Sequence, residues 1–269
     1  MNAERSPLVP DPGVSAPSCK VCASATNLLG DMAVLRRHPV KYFRCVACGF
    51  IQTEQPYWLD EAYSSAIATQ DVGIMARNLA HCEVTAAVLN LLFPEVKSAL
   101  DYGGGHGVLV RLMRDRGFNF FWSDLHATND FARGFEAGQE TKFDFLTAFE
   151  LLEHLVDPLT DIAKLMELSD NVLVSTCLVP EPAPSLTDWW YYMPTSGQHI
   201  SFYTRTSLQR IASKFNRHLL SVGTFHLFTR QASRYYRYRL ATSPRAARLI
   251  NKFYNRPSLT ASDLAKMTK

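Results

Sequence analysis

Asp101-Tyr102-Gly103-Gly104-Gly105-His106-Gly107 follows the short apolar run Ala99-Leu100 and precedes Val108 to Arg116, where apolar residues recur at helical spacing. Glycines at alternate positions let the backbone turn sharply out of a strand and pass close to a ligand. The helix that starts behind them offers free amide donors and the positive end of its dipole. The dinucleotide fingerprint G-x-G-x-x-G does not fit, because its third glycine would fall on Val108 or Val110. Working outward, Phe118 to Trp122, Phe143 to Phe149 and Asn171 to Leu178 read as strands, with a helix over 158–168 between the last two. A helix over 71–93 stops at Pro94. Another spans 204–215, and 218–222 and 224–229 follow as an antiparallel pair at the sheet edge. Strands alternating with helices predict an α/β fold, a three-layer sandwich.

Ahead of this core lie two C-x2-C pairs, Cys19/Cys22 and Cys45/Cys48, with 22 residues between them. Four thiolates in this spacing can close a tetrahedral zinc shell. A closed four-sulfur shell has no open position, so the expected role is structural. Paired knuckles without a secretory leader point to a reducing cytoplasm, and no run reaches the roughly 18 apolar residues of a membrane span. The resulting organisation is a disordered tail at 1–17, a zinc-binding four-cysteine ribbon at 18–60, the α/β domain at 61–231 and a basic helical tail at 232–269.

The pattern D-x-G-x-G-x-G, with Asp124 seventeen residues after Gly107 at the end of the next strand, resembles the class I S-adenosylmethionine-dependent methyltransferases, Rossmann-like in architecture. The stretch 143–158, FDFLTAFELLEHLVDP, is similar to the methyltransferase 23 group within them. The resemblance implies S-adenosyl-L-methionine as cofactor, held by Asp101, Gly103, Gly105 and Gly107, with Asp124 on the ribose and Phe149 near the reacting methyl. It also implies an oxygen or carbon acceptor, since the N/D-P-P-Y/F stretch of amino methyltransferases is absent. Between Asp124 and Phe143 only 18 residues remain for a helix and third strand, so Asn129 to Gln139 must supply them in abbreviated form. The ribbon before such a core is similar to that of bacterial sugar methyltransferases.

Glu150, Glu153 and His154 stand at i, i+3 and i+4, on one face if that turn is helical. Some relatives use this E-x-x-E-H with a later histidine, here His199, to hold a divalent ion that activates a hydroxyl. Without metal, His154 or His199 can act as general base. A structural role for Glu153-His154 is the third alternative. Trp189 to Tyr203 carries four consecutive aromatics after the fifth strand, a wall suited to a sugar or an aromatic ring, or a hydrophobic lid.

The formal charge of +3 is unevenly divided. Residues 201–269 hold 14 Lys and Arg against one acid, and the first 200 residues net −10. Arginines interleaved with tyrosines suit a polyanion, an anionic membrane surface, or the chain's own acidic face. The leading expectation is an enzyme of class 2.1.1 that O-methylates a saccharide or related small metabolite. RNA methylation and a non-catalytic scaffold in glycan assembly are the alternatives.

Overall fold

The computed structural model describes residues 16–63, 72–138, 142–231, 234–254 and 256–268. The tail expected at 1–17 therefore lies outside the described residues up to position 15, as do Asp71 and Gln139.

The described residues form two sheets. In the first, β1 (Thr26–Val34), β2 (His38–Cys45) and β3 (Ile51–Thr53) run antiparallel and are joined by β8 (Ser201–Phe202) from much later in the sequence. The second has six strands: β4 (Ala99–Tyr102), β5 (Phe120–Ser123), β6 (Phe145–Phe149), β7 (Asn171–Ser175), β9 (His218–Val222) and β10 (Phe225–Thr229). Their order is β5-β4-β6-β7-β10-β9, the first four parallel and β10 antiparallel to both its neighbours. Among the described residues the expected third strand is represented by one parallel bridge, between Trp122 and Glu136. That is as much as the short interval after Asp124 allows.

Alternation along the strands builds the layers. The short α1 (Leu59–Ala62) follows β3. Ala99, Phe120, Phe145, Leu173 and Leu227 face one core with α2 (Ile74–Leu92) and α3 (Val108–Asp115). Leu100, Leu146, Val172, Val174 and Phe228 face the other, with α4 (Pro158–Leu168) and α5 (Arg205–Lys214). Burial of such side chains supplies the main driving force for folding. Local signals fix the helix starts. Asp157 caps α4 with Pro158 at its first position, and Thr204 and Ser207 form a capping box on α5.

The C-terminal segment is not a free tail. It folds into α6 (Tyr235–Ala241), α7 (Pro244–Phe253) and α8 (Thr260–Met267). Helices α6 and α7 pack on α2, with Tyr238, Ala241, Ala247 and Ile250 in the shared core. Covered on several sides, α2 is apolar nearly all round its second half. Helix α8 is anchored by its one acid: Asp263 accepts two hydrogen bonds from buried Arg114, at 2.7 and 2.8 Å, and one from Arg111. The ribbon boundary near residue 60 is likewise not clean, since β8 completes its sheet.

Candidate active site

The glycine loop leaves the carboxyl end of β4, at the point where strand order reverses between β5 and β6. Gly103, Gly105 and Gly107 all have positive φ, between 53° and 83°. Side chains rarely adopt that conformation, which is why glycine recurs. A Cβ on Gly105 would meet nothing within 4 Å, and one on Gly103 only Leu151. The outer edge of the loop is therefore an open cradle. Gly104 and Gly107 serve packing instead: a Cβ there would run into Asp101 and Trp122, or into Asn129 and Ala132.

Two carboxylates shape this cradle. Asp101 is buried beneath it and accepts a 2.7 Å bond from Thr147 Oγ1. Burial, with the nearby charge of Asp124, raises its pKa to about 7. Asp124, at the end of β5, accepts from the amides of Gly105 (2.9 Å), His126 (2.7 Å) and Ala127 (2.8 Å). These bonds hold the carboxylate rigidly at the mouth of the loop. A carboxylate has about four acceptor sites, so room remains for a hydroxyl.

Beyond the loop, Phe149 ends β6. It packs on His81 of α2 with ring centroids 4.3 Å apart, and Phe225 closes the group at 6.0 Å. Glu150 follows with φ +50°, outside any helix, and the next turn is a short 3-10 helix at Leu152–His154. Glu150, Glu153 and His154 therefore do not share one helical face. The structure brings Glu153, His154 and His199 together, with one ligand atom of each within 4.8 Å of the others. Glu150 is held apart by Ser175, whose hydroxyl donates to it at 2.5 Å and accepts from its amide. Enclosure, then the neighbouring Glu153 charge, raises the Glu150 pKa.

Backbone carbonyls orient both rings of the cluster. His199 Nδ1 lies 2.7 Å from the Tyr191 carbonyl, and His154 Nδ1 lies 3.1 Å from that of Gln198. Carbonyls only accept, so Nδ1 of His199 donates to Tyr191 O, while Nδ1 of His154 is shared between Gln198 O and the Tyr63 hydroxyl at 3.0 Å. The rings meet edge to face with centroids 5.0 Å apart. Enclosure, helped by His199, lowers the His154 pKa to about 3, which keeps that ring neutral. Glu153 is fully buried: Oε1 accepts from Tyr191 OH at 2.6 Å, while Oε2 has no partner.

Sequence reasoning missed Tyr63. Its hydroxyl is 3.0 Å from His154 Nδ1 and its ring stacks on His126, so it links the Asp124 turn to the histidine pair. It lies in no motif, and only the fold brings it there. The aromatic loop also differs from expectation. Tyr192 and Trp189 pack with Tyr42 and Phe202 in the core between ribbon and body, and Tyr191 turns its hydroxyl to Glu153. Only Trp190 of the four is largely exposed, and Tyr191 packs against the His199 ring with centroids 4.7 Å apart.

The four cysteines of the ribbon do converge. The Sγ atoms of Cys19 and Cys48 are 3.7 Å apart, Cys22 and Cys45 3.5 Å, and Cys22 and Cys48 3.6 Å. A tetrahedron with zinc–sulfur bonds of about 2.3 Å has edges of about 3.8 Å, so the group is compatible with zinc. The amides of Ala47 and Cys48 point at Cys45 Sγ, each at 3.4 Å, as a knuckle around a thiolate requires.

Residues 75–222, more than half the chain, match the methyltransferase 23 family, a methyltransferase domain. The chain belongs to this family. Its fold is the Rossmann-like class I methyltransferase sandwich. A search of curated proteins finds no match. Similar solved structures include an O-methyltransferase family protein from Burkholderia thailandensis, at 16% identity over 64% of this chain and 66% of that one, TM-score 0.44. Human N-acetylserotonin methyltransferase is 15% identical over 65% of this chain and 66% of its own, TM-score 0.42. Magnesium protoporphyrin IX methyltransferase from Synechocystis is 13% identical over 64% and 90%, TM-score 0.38. The match spans just under two thirds of the first two of these chains.

Proposed function

We propose that this methyltransferase moves the methyl group of S-adenosylmethionine to a hydroxyl of a small polyhydroxylated acceptor, a saccharide or related metabolite. One observation carries the reading: two imidazoles and a partnerless carboxylate oxygen gather in one cluster, which Tyr63 links to the turn of Asp124. Bound S-adenosylmethionine supplies an electrophilic sulfonium methyl. The open edge at Gly103 and Gly105 admits it, Asp124 takes the ribose hydroxyls, and Phe149 borders the methionine end. Positioning then contributes most of the rate. His199, fixed by Tyr191 O, accepts the hydroxyl proton at Nε2, and buried Glu153 balances the imidazolium that forms.

A second reading has its own support. Glu153, His154 and His199 suit a divalent cation, because Glu153 Oε2 is unpartnered and each Nδ1 lies within hydrogen-bond reach of a backbone carbonyl, the usual outer-shell arrangement of ligating histidines. In that case the three side chains hold an ion that lowers the pKa of the acceptor hydroxyl. Glu150, tied to Ser175, stays outside this shell.

Calorimetry with S-adenosylmethionine, followed by a metabolite screen with methyl-labelled cofactor, tests the proposal. Binding and labelled hydroxyl products are expected, and absence of binding by the wild-type protein overturns it. Adding magnesium or manganese to the zinc-replete enzyme separates the two readings. Unchanged turnover leaves the metal-free base, and strong stimulation lost in His199→Ala selects the cation.

A further inference from the structure

Helices α6 and α7 carry more charge and apolar surface than their docking uses. On α7, Ala247 and Ile250 face the core and Asn251 bonds to Glu83 of α2. The opposite stripe is Arg245, Arg248, Leu249, Lys252 and Phe253, at i, i+3, i+4, i+7 and i+8. Leu249 is 57% exposed and Phe253 79%. On α6, Tyr238 and Ala241 are buried, while Tyr236, Arg237, Arg239 and Leu240 face outward. Tyr236 is 85% exposed.

The basic residues of the segment divide into two groups. Arg234 donates to Leu92 O, Arg256 lies over Phe118, and Lys266 lies over Phe135, so these three hold the helices to the body. Arg237, Arg239, Arg245, Arg248 and Lys252 make no side-chain hydrogen bond or ion pair among the described residues. The one acid of the segment, Asp263, is consumed by Arg111 and Arg114. Nothing on these helices neutralises the outward cations, and large apolar side chains sit among them.

We infer that the α6–α7 face docks on an anionic lipid bilayer. Lysine and arginine draw such a face to acidic headgroups, and interleaved leucine and aromatic side chains enter the headgroup boundary. The mixture argues for lipid over nucleic acid. Phosphates would use the arginines and bases would stack on the rings, but outward Leu240 and Leu249 gain nothing there. No helix among the described residues is long and apolar enough to cross a membrane, so the contact is peripheral. Helix α2 links this face to the active site, since His81 on it packs against Phe149.

Vesicle flotation of the full chain tests this, using phosphatidylglycerol-containing and pure phosphatidylcholine vesicles. Binding is expected only to the anionic vesicles and should weaken as salt is raised. Two double variants, Arg245→Glu with Arg248→Glu and Leu249→Ser with Phe253→Ser, should each weaken it by at least about tenfold. Their thermal unfolding should match the wild type, because all four positions are exposed. Equal binding to neutral vesicles, or none to either, overturns the inference. So does a serine variant that binds anionic vesicles as the wild type does; retained tight binding to single-stranded RNA would then assign the face to nucleic acid. A shift from dimer to monomer in the serine variant, with no vesicle binding by the wild type, would assign it to a second copy of the chain.

Discussion

His199 is defined by one hydrogen bond. With Nδ1 donating to Tyr191 O, Nε2 is the nitrogen left for proton transfer, so His199→Ala should lower kcat by about 10²- to 10⁴-fold with the cofactor Kd nearly unchanged. Asp124→Ala should do the reverse, weakening cofactor binding by about ten- to a hundredfold by calorimetry, since it deletes a charged acceptor at the cradle mouth. Burial also sets a pH dependence of stability. His81, His154 and His226 fall from 6.5 to about 4, 3 and 4 respectively, each chiefly through enclosure. As pH drops below about 6.5 the unfolded chain takes up protons that the folded chain refuses. Stability is then lost by up to about 1.4 kcal/mol per pH unit for each imidazole. Asp101, raised to about 7, and Glu150, also raised, act in the opposite sense, losing stability as pH rises through their folded pKa values. His226 is the isolated member, buried between Ser221 Oγ and Thr176 O away from the histidine pair. Denaturant melts of His226→Gln should therefore show a smaller loss than wild type between pH about 7.5 and about 5.

At the scale of elements, helix α8 is held by charge more than by apolar burial. Asp263 accepts a bidentate pair from Arg114, itself only 5% exposed. Asp263→Asn leaves that guanidinium without its counter-charge, and an equilibrium unfolding measurement should show a loss of about 3–5 kcal/mol. Most elements were legible beforehand for plain reasons. Pro158 behind Asp157, the Thr204–Ser207 box and Pro94 are local signals that tertiary packing does not override. The glycine loop was equally legible, because positive φ at three alternate residues leaves little choice of side chain. The site beyond β6 was only half legible. Spacing on an assumed α-helix grouped Glu150 with Glu153 and His154, but a left-handed residue at 150 and a 3-10 turn part them. Tyr63 and the inward turn of Tyr191 depend on contacts across 91 and 38 residues of chain, which periodicity does not carry. The run of aromatics at 189–192 gave no sign of which ring would be buried, since composition is blind to the surface it meets.

Over the whole molecule, charge and architecture divide differently from the order of the sequence. The acidic first 200 residues and the basic end are packed together, so the +3 total describes neither surface. The ribbon is joined to the active site through β8. Thr53 donates to Ile200 O, Ile200 donates to Glu153 O, and Tyr203 OH donates to Leu152 O, with Phe50 of the knuckle packed at a tilt against Tyr203. Treatment with a chelator that removes any metal held by the four cysteines, or Cys48→Ser, should therefore lower both Tm and turnover, with cofactor affinity less affected than kcat. A calorimetric and kinetic comparison checks this, and a chelated protein with full turnover would contradict it. The two-residue strand has a further consequence for inheritance. Because Ser201-Phe202 pairs with β3, a gene fragment starting at codon 61 would strip the cover from Tyr191, Tyr192 and Phe202 and open a naked sheet edge. Such a product is expected in inclusion bodies, not as a smaller enzyme. A ribbon grafted from another chain would have to fit the distant 186–204 loop on which it packs, so the two segments form one unit for any exchange.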